Sequence, residues 1–240
     1  MMKQQAFEIE YGLCGMPLGH SMSVQIQAQL GNNSYELLEC TETQFRSIIE
    51  TRNFKGLNVT IPYKKLAYSL CDSVSDIARD TGVVNTILNK NGVILGYNTD
   101  VYGFEETTRD ISFGGRRVII LGTGGTSQTA GFVAKKHGAS EIVYISRTKH
   151  PTYEEINKYS DWEILINTTP IGMYPNIDEV PLDIAIFNNL EGVIDVIYNP
   201  TETKLLGNAR KMGIKVASGM EMLKKQAEFS NKIWKNTDCF

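Results

Sequence analysis

Histidine and cysteine are scarce in this 240-residue chain: three histidines, His20, His137 and His150, and four cysteines. Cys14, Cys40, Cys71 and Cys239 are widely separated and form no CxxC pair. That spacing argues against zinc or dithiol frameworks, so no metal site is expected, and reduced thiols in a cytoplasmic protein are the simpler reading. Histidine-centred catalysis has few candidates, and His20 reads as structural. Long hydrophobic runs are missing as well; no stretch approaches the roughly 18 apolar residues a membrane span needs. Neither charge sign dominates, with 24 basic against 27 acidic residues. Neither a nucleic-acid surface nor a polybasic membrane anchor is therefore expected. The opening MMKQQAFEIEYGL has no apolar h-region and no small-residue cleavage site, unlike a signal peptide. Repeats and low-complexity segments are also lacking. What remains is a soluble globular chain, long enough for one large domain or two smaller ones.

What is present is alternation. Short β-type runs alternate with amphipathic stretches almost throughout, the pattern of an α/β protein. In the first hundred residues strands are expected near 6–13, 34–40, 56–61, 83–89 and 93–97. The last two flank Asn91-Gly92, a strong hairpin signal. Helices are expected at 21–30 from a Ser N-cap, at 43–52 from Thr43, and at 63–80 in two pieces. From 116 the alternation becomes more regular. RRVIILGTGG, EIVYIS, DWEILINTT and GVIDVIYNP read as strands, and TSQTAGFVAKKHG as a helix closed by Gly138. The unbroken apolar run Val118-Ile119-Ile120-Leu121 implies a sheet covered on both faces, hence parallel and doubly wound. GMEMLKKQAEFSNKIW has helical spacing. The division expected is a first α/β lobe over 1–100, joined by the C-terminal helix 218–240, and a dinucleotide-type (Rossmann) lobe over 101–217.

Gly122-Thr123-Gly124-Gly125-Thr126 follows a strand and opens a helix, where glycines let the backbone approach a pyrophosphate. Ser127 holds the third glycine position of the usual fingerprint. At the end of the next strand, an NAD site normally offers an acid to the ribose hydroxyl. Here Ser146-Arg147-Thr148-Lys149 carries no acid and suits the 2′-phosphate of NADP. In the first lobe, NVTIPYKK is a β-branched run halted by Pro62 and followed by Lys64 and Lys65. Ser21 and Ser23 stand just before a helix, where serines cap but can also hold a carboxylate. Thr60, Lys64, Asn85 and Asp100 lie at or near strand ends, where ligands of α/β proteins usually sit.

In order and spacing, GxPLxHSxS, NVTIPYKK, VVNT, NTD, the glycine loop, SRT, NTTPIGM and GMEMLKKQA resemble the shikimate dehydrogenase family. The resemblance spans nearly the whole chain. It implies an N-terminal substrate-binding lobe, a C-terminal NADP-binding Rossmann lobe, and reduction of 3-dehydroshikimate to shikimate on the way to aromatic amino acids. Carried over residue by residue, it implies Lys64 as the catalytic lysine with Asp100 as its partner. It implies Ser21 and Ser23 on the substrate carboxylate, and Thr60, Asn85, Asp100 and Gln226 on the ring hydroxyls, with Tyr198 lining the site. For the cofactor it implies Gly122, Thr123, Gly124, Gly125 and Thr126 at the pyrophosphate. Ser146, Arg147 and Thr148 would lie at the adenosine phosphate, and Val196 and Gly219 at the nicotinamide. The chain departs from the family at Val24 to Ala28, where Pro and later His-Asn are usual. Val101 replaces a glycine, Gln128 an arginine and Ser146 an asparagine, and the loops around 150–160 are short.

The residues fit the chemistry in their own right. Ketone reduction needs hydride delivered to carbon and a proton donor at the developing alkoxide. A Lys64–Asp100 pair supplies the donor, while Lys65 reads as a solvent-facing neighbour. The partners expected are a small-molecule substrate and NADP, in a monomer or homodimer. Alternatives are a quinate/shikimate dehydrogenase, a methylenetetrahydrofolate dehydrogenase-like enzyme, and a non-catalytic sensor of shikimate-like acids. HSxS and NTD argue against the second, and the intact lysine and aspartate against the third.

Overall fold

The computed structural model of the protein describes residues 9–19 and 21–235. His20, Cys239, the first residues of the expected 6–13 strand and the end of the expected last helix lie outside the described residues. The chain divides into two compact units, Met1–Thr99 with Gln226–Phe240, and Asp100–Lys225. The division falls within the last helix. Among the described residues no helix is long and apolar enough to cross a membrane.

The first unit is built on a six-stranded sheet. Its strands are β1 (Ile9–Gly15), β2 (Tyr35–Glu39), β3 (Phe54–Val59), β4 (Ser73–Val74), β5 (Thr86–Lys90) and β6 (Val93–Tyr97), in the order β2-β1-β3-β5-β6-β4. β1 runs parallel to β2 and β3, and β5 antiparallel to β3 and β6. Asn91 and Gly92, both at positive φ (54° and 86°), close the β5–β6 hairpin as a type I′ turn requires. Helices α1 (Ser23–Gln29), α2 (Glu42–Thr51), α3 (Lys64–Leu70) and α4 (Asp76–Thr81) connect the strands. α2 starts from a Thr41–Gln44 capping box, earlier than the Thr43 start expected, because the Gln44 side chain reaches back to the Thr41 N–H at 2.8 Å. α1 likewise departs from the Ser21 N-cap expected. Met22 holds the cap position, and the Ser21 hydroxyl oxygen instead accepts from the Ser23 N–H at 3.2 Å. Val83 and Val84, expected in a strand, are fully buried but precede β5. The Val84 N–H is used elsewhere, donating to the Lys64 carbonyl at 3.0 Å. Phe45 and Tyr63 stack at 5.0 Å in the core, and the Tyr63 hydroxyl donates to the Cys40 carbonyl.

The second unit has five strands, all parallel. They are β7 (Arg117–Leu121), β8 (Glu141–Ile145), β9 (Ile164–Asn167), β10 (Gly192–Asp195) and β11 (Lys215–Ser218), in the order β11-β10-β9-β7-β8. Counted within the unit this is 2-1-3-4-5, a doubly wound order whose switch point lies between β7 and β9. Helices α5 (Asp100–Thr107), α6 (Gly125–Lys136) and α7 (Lys204–Lys211) and two short 3₁₀ segments accompany it. One of these, Tyr153–Tyr159, occupies the short stretch between β8 and β9. Alternate residues of β7 serve opposite faces, as expected of a buried parallel strand. Ile119 and Leu121 join Trp162, Phe187, Leu205 and Leu206 on one side. On the other, the Ile120 side chain comes within 3.5 Å of the position a Cβ on Gly131 of α6 would take. That Cβ would run into the Tyr144 ring of β8. A close helix–strand approach is thus made at Gly131, one helical turn beyond Ser127. Ser127 itself is fully buried and donates to the Gly124 carbonyl at 2.6 Å.

α8 (Gly219–Trp234) is the last helix. Its C-terminal end packs Ile233 and Trp234 against Leu13, Leu18 and Tyr35 of the first unit. The Trp234 indole donates to the Ile87 carbonyl at 2.9 Å.

Candidate active site

In the first unit, backbone hydrogen bonds draw the candidate substrate residues to one end of the sheet. The carboxyl ends of β1, β3 and β6 and the amino end of the antiparallel β5 meet there. Thr60 follows β3 and donates its N–H to the Cys14 carbonyl at 2.9 Å. Val59 N–H donates to the Asn85 carbonyl at 2.8 Å, and the Val84–Lys64 bond ties the start of α3 to the same segment. Lys64, the first residue of α3, is half-buried, whereas Lys65 is exposed. Ser21 and Ser23 follow the loop from β1, with their hydroxyls bonded to each other at 2.9 Å. That loop is held by the Glu39 carboxylate, which accepts the Leu18 N–H at 2.8 Å. Gln226 is half-buried on α8, and its carbonyl accepts from Ser230 at 2.8 Å.

Asn85 is the most tightly specified of these groups. Its side-chain oxygen accepts the Thr99 N–H at 2.8 Å and is also bonded by the hydroxyls of Thr99 and Thr86, each at 3.1 Å. A backbone N–H can only donate, so the amide orientation is fixed. The oxygen is committed to the protein, and the NH₂ is the end that can donate to a ligand hydroxyl. Asp100 follows Thr99 directly and opens α5 in the second unit, where it is buried.

In the second unit the glycine loop leaves β7 at its carboxyl end. Gly122 has φ 106°, and a Cβ there would lie 2.7 Å from the Thr168 hydroxyl, so both backbone and space demand glycine. Gly124 caps the twelve-residue α6 in an extended conformation, with Thr123 and Gly124 exposed. Loop, helix start and exposed backbone make an anion cradle of the kind a pyrophosphate takes. At the end of β8 the buried Ser146 accepts from the N–H groups of Thr148 and Lys149, both at 3.3 Å, which curls the loop and leaves Arg147, Thr148 and Lys149 exposed. The donors present, one guanidinium, one hydroxyl and one ammonium with no acid among residues 146–149, fit a 2′-phosphate. Val196 and Gly219 meet at the ends of β10 and β11. Gly219 N–H donates to the Ile197 carbonyl at 3.1 Å, and a Cβ on Gly219 would run into the Val196 carbonyl. Tyr198, two residues beyond Val196, is half-buried, and that burial pushes its phenol pKa up.

Two buried polar groupings were not read from the sequence. One surrounds Asn85 and includes Asn58, Thr86, Thr99 and Ser230; the asparagine inside the apolar NVTI strand was its one visible sign. The other centres on Asp195 at the end of β10. Its carboxylate accepts from the Thr203 hydroxyl (2.7 Å), the Asn167 amide (3.1 Å) and the Ile197 N–H (3.1 Å). It thereby joins the ends of β9 and β10 to the N-cap of α7. Burial pushes the Asp195 carboxyl up to about 6, against the pull of those three donors. A folded-state pKa above the ordinary carboxylate value favours the protonated native state. Its contribution is present below the unfolded value and is lost as pH rises through about 6. Measured by denaturant unfolding, wild-type stability relative to Asp195→Asn should therefore fall by about 2 kcal/mol between about pH 4 and pH 7. A flat difference across that range would contradict the burial argument.

The fold and these groups define a class: a doubly wound parallel-sheet unit with a glycine loop at a helix start, and a first unit that gathers a lysine, an amide and hydroxyls at one sheet end. Residues 13–87 match the family model described as the shikimate dehydrogenase substrate binding domain. A shikimate dehydrogenase (NADP(+)) of Clostridium beijerinckii is 37% identical over 246 residues, covering 93% of this chain and 91% of the relative. The crystal structure of shikimate dehydrogenase 1 from Peptoclostridium difficile aligns with a TM-score of 0.85 at 34% identity, over 96% of this chain and 92% of that one. That of shikimate 5-dehydrogenase from Thermus thermophilus, in complex with NADP(H) and shikimate, aligns with a TM-score of 0.83 at 28% identity, over 95% and 94%. The chain belongs to the shikimate dehydrogenase family.

Proposed function

We propose that this protein interconverts shikimate and 3-dehydroshikimate with NADP, as a step in making aromatic amino acids. The gathering of Thr60, Lys64 and Asn85 at one sheet end by backbone bonds, in a chain of this family, carries the reading. Bound NADP supplies the hydride acceptor for shikimate oxidation, and NADPH the donor in reverse. Lys64 moves the proton: its amine takes the hydroxyl proton as the alcohol becomes a ketone, and its ammonium returns it on reduction. Ser21 and Ser23 hold the carboxylate, while Thr60, Asn85 and Gln226 bind the ring hydroxyls; in the second unit, Asp100 and Tyr198 are the substrate residues the family resemblance implies. Asn85 can serve only as a donor, since its oxygen is already engaged.

In the second unit, residues Gly122 to Thr126 cradle the pyrophosphate. Ser146, Arg147 and Thr148 meet the adenosine phosphate, and Val196 and Gly219 border the nicotinamide. The free thiols Cys14, Cys40 and Cys71 support placing the reaction in the reducing cytoplasm. Absorbance at the nicotinamide band tests the reading with purified protein, NADP⁺ or NAD⁺, and shikimate or quinate. Reduction of NADP⁺ by shikimate is the expected result. Shikimate binding by calorimetry without reduction of either cofactor would instead make the protein a ligand sensor.

A further inference from the structure

Helix α1 buries one face, made of Ser23, Ile26 and Gln27. A side-chain amide on such a face costs free energy unless it is hydrogen-bonded. Gln27, 1% exposed, meets Asn231 of α8, 5% exposed, and the Asn231 Nδ2 donates to the Gln27 Oε1. Asn231 makes one other bond, a long one at 3.4 Å to the Ala227 carbonyl of its own helix. Among the described residues the Gln27 Nε2 and the Asn231 Oδ1 have no partner. Each amide is thus the other's one link outside its own helix.

A second tie follows in the same sense along both chains, where the Lys235 ammonium donates to the Leu30 carbonyl at 3.3 Å. α1 and α8 therefore lie side by side and run in the same direction. Ser23 precedes Gln27 by four residues and Gln226 precedes Asn231 by five. At about 1.5 Å of rise per residue, both candidate ligands stand roughly one turn before the amide pair. Val24 of α1 also packs on the cluster that holds Ile233 and Trp234 of α8. Apolar contact of that kind is non-directional and permits sliding, whereas the buried amide bond prefers one length and one angle.

We propose that Gln27 and Asn231 are positioning residues for the substrate: their bond sets the register of α1 against α8, and with it the separation between Ser23 and Gln226. This rests on Ser23 binding the carboxylate and Gln226 a ring hydroxyl. The pair acts at a distance of one helical turn, so it changes how well the two ends of the substrate are met at once. It does not act on the hydride or proton transfer.

Steady-state kinetics with the full chain test this. Gln27→Asn shortens the pair by one methylene, and Asn231→Gln lengthens it by one. Each should raise the KM for shikimate about fivefold, leaving kcat and the KM for NADP within about twofold. Combining Gln27→Asn with Asn231→Gln restores the summed length and should bring the shikimate KM back to within about twofold of wild type. A merely structural pair would lower the unfolding midpoint without separating the shikimate KM from kcat. Gln27→Met keeps the length and removes the bond; it should raise the KM as the single variants do, and it provides the measurement if one of them does not fold. A shikimate KM within about twofold of wild type in the folded single variants, or a combined variant no better than the worse single one, would overturn the proposal. Failure of the underlying reading is distinguishable, because wild-type protein would then itself fail to bind shikimate by calorimetry.

Discussion

Lys64→Ala is expected to lower kcat by about 10²- to 10⁴-fold, the range general acid–base groups contribute, with only a modest change in the KM for shikimate. The effect should fall on turnover because the ammonium matters most when charge develops on the departing or forming alkoxide oxygen. Fold loss is not the cause expected. Lys64 is half-buried at the first position of α3, and the bond it makes to Val84 uses its backbone carbonyl, which alanine retains. Circular dichroism and the unfolding midpoint should therefore stay close to wild type. Lys65→Ala is the internal control: its exposed side chain predicts near-normal kinetics. Near-normal turnover in Lys64→Ala would remove the lysine from the mechanism, whatever happens to binding.

Arg147→Ala should lose about 10- to 100-fold in kcat/KM with NADP and change little with NAD. Arg147 is exposed on the loop that the Ser146 hydroxyl ties together, so its removal leaves the loop's own hydrogen bonds in place. A guanidinium–phosphate contact at such a site is screened by salt, so the wild-type KM for NADP should rise with ionic strength more steeply than that for NAD. Equal losses with both cofactors would mean that the arginine acts on the loop and not on the 2′-phosphate.

Signals that depend on a few adjacent residues were legible in the sequence. Asn91-Gly92 specified its hairpin, the Val118–Leu121 run its doubly covered parallel strand, and Gly122 its tight turn. β11 went unread because Lys215–Ser218 is four residues long and lies at the sheet edge, with no apolar run to mark it. The two-residue β4 offered less still. Helix starts were misplaced wherever several hydroxyls competed for the cap: Ser21 bonds within its own turn, and Thr41, not Thr43, has a glutamine three residues on. The site's polar scaffold was illegible for a different reason. Asn58 and Ser230 are 172 residues apart, and neither carries a local pattern that announces the other. Asp195 similarly sat inside an apolar strand, and its three donors come from three different segments.

The central claim is that this chain moves a hydride between shikimate and NADP. Shikimate carrying deuterium at the carbinol carbon that becomes the ketone of 3-dehydroshikimate, incubated with the protein and NADP⁺, tests it most directly when the nicotinamide product is read by mass spectrometry and NMR. The account predicts one deuterium in each NADPH formed, matched by one 3-dehydroshikimate. Unlabelled NADPH, or shikimate bound and left unchanged, would contradict it.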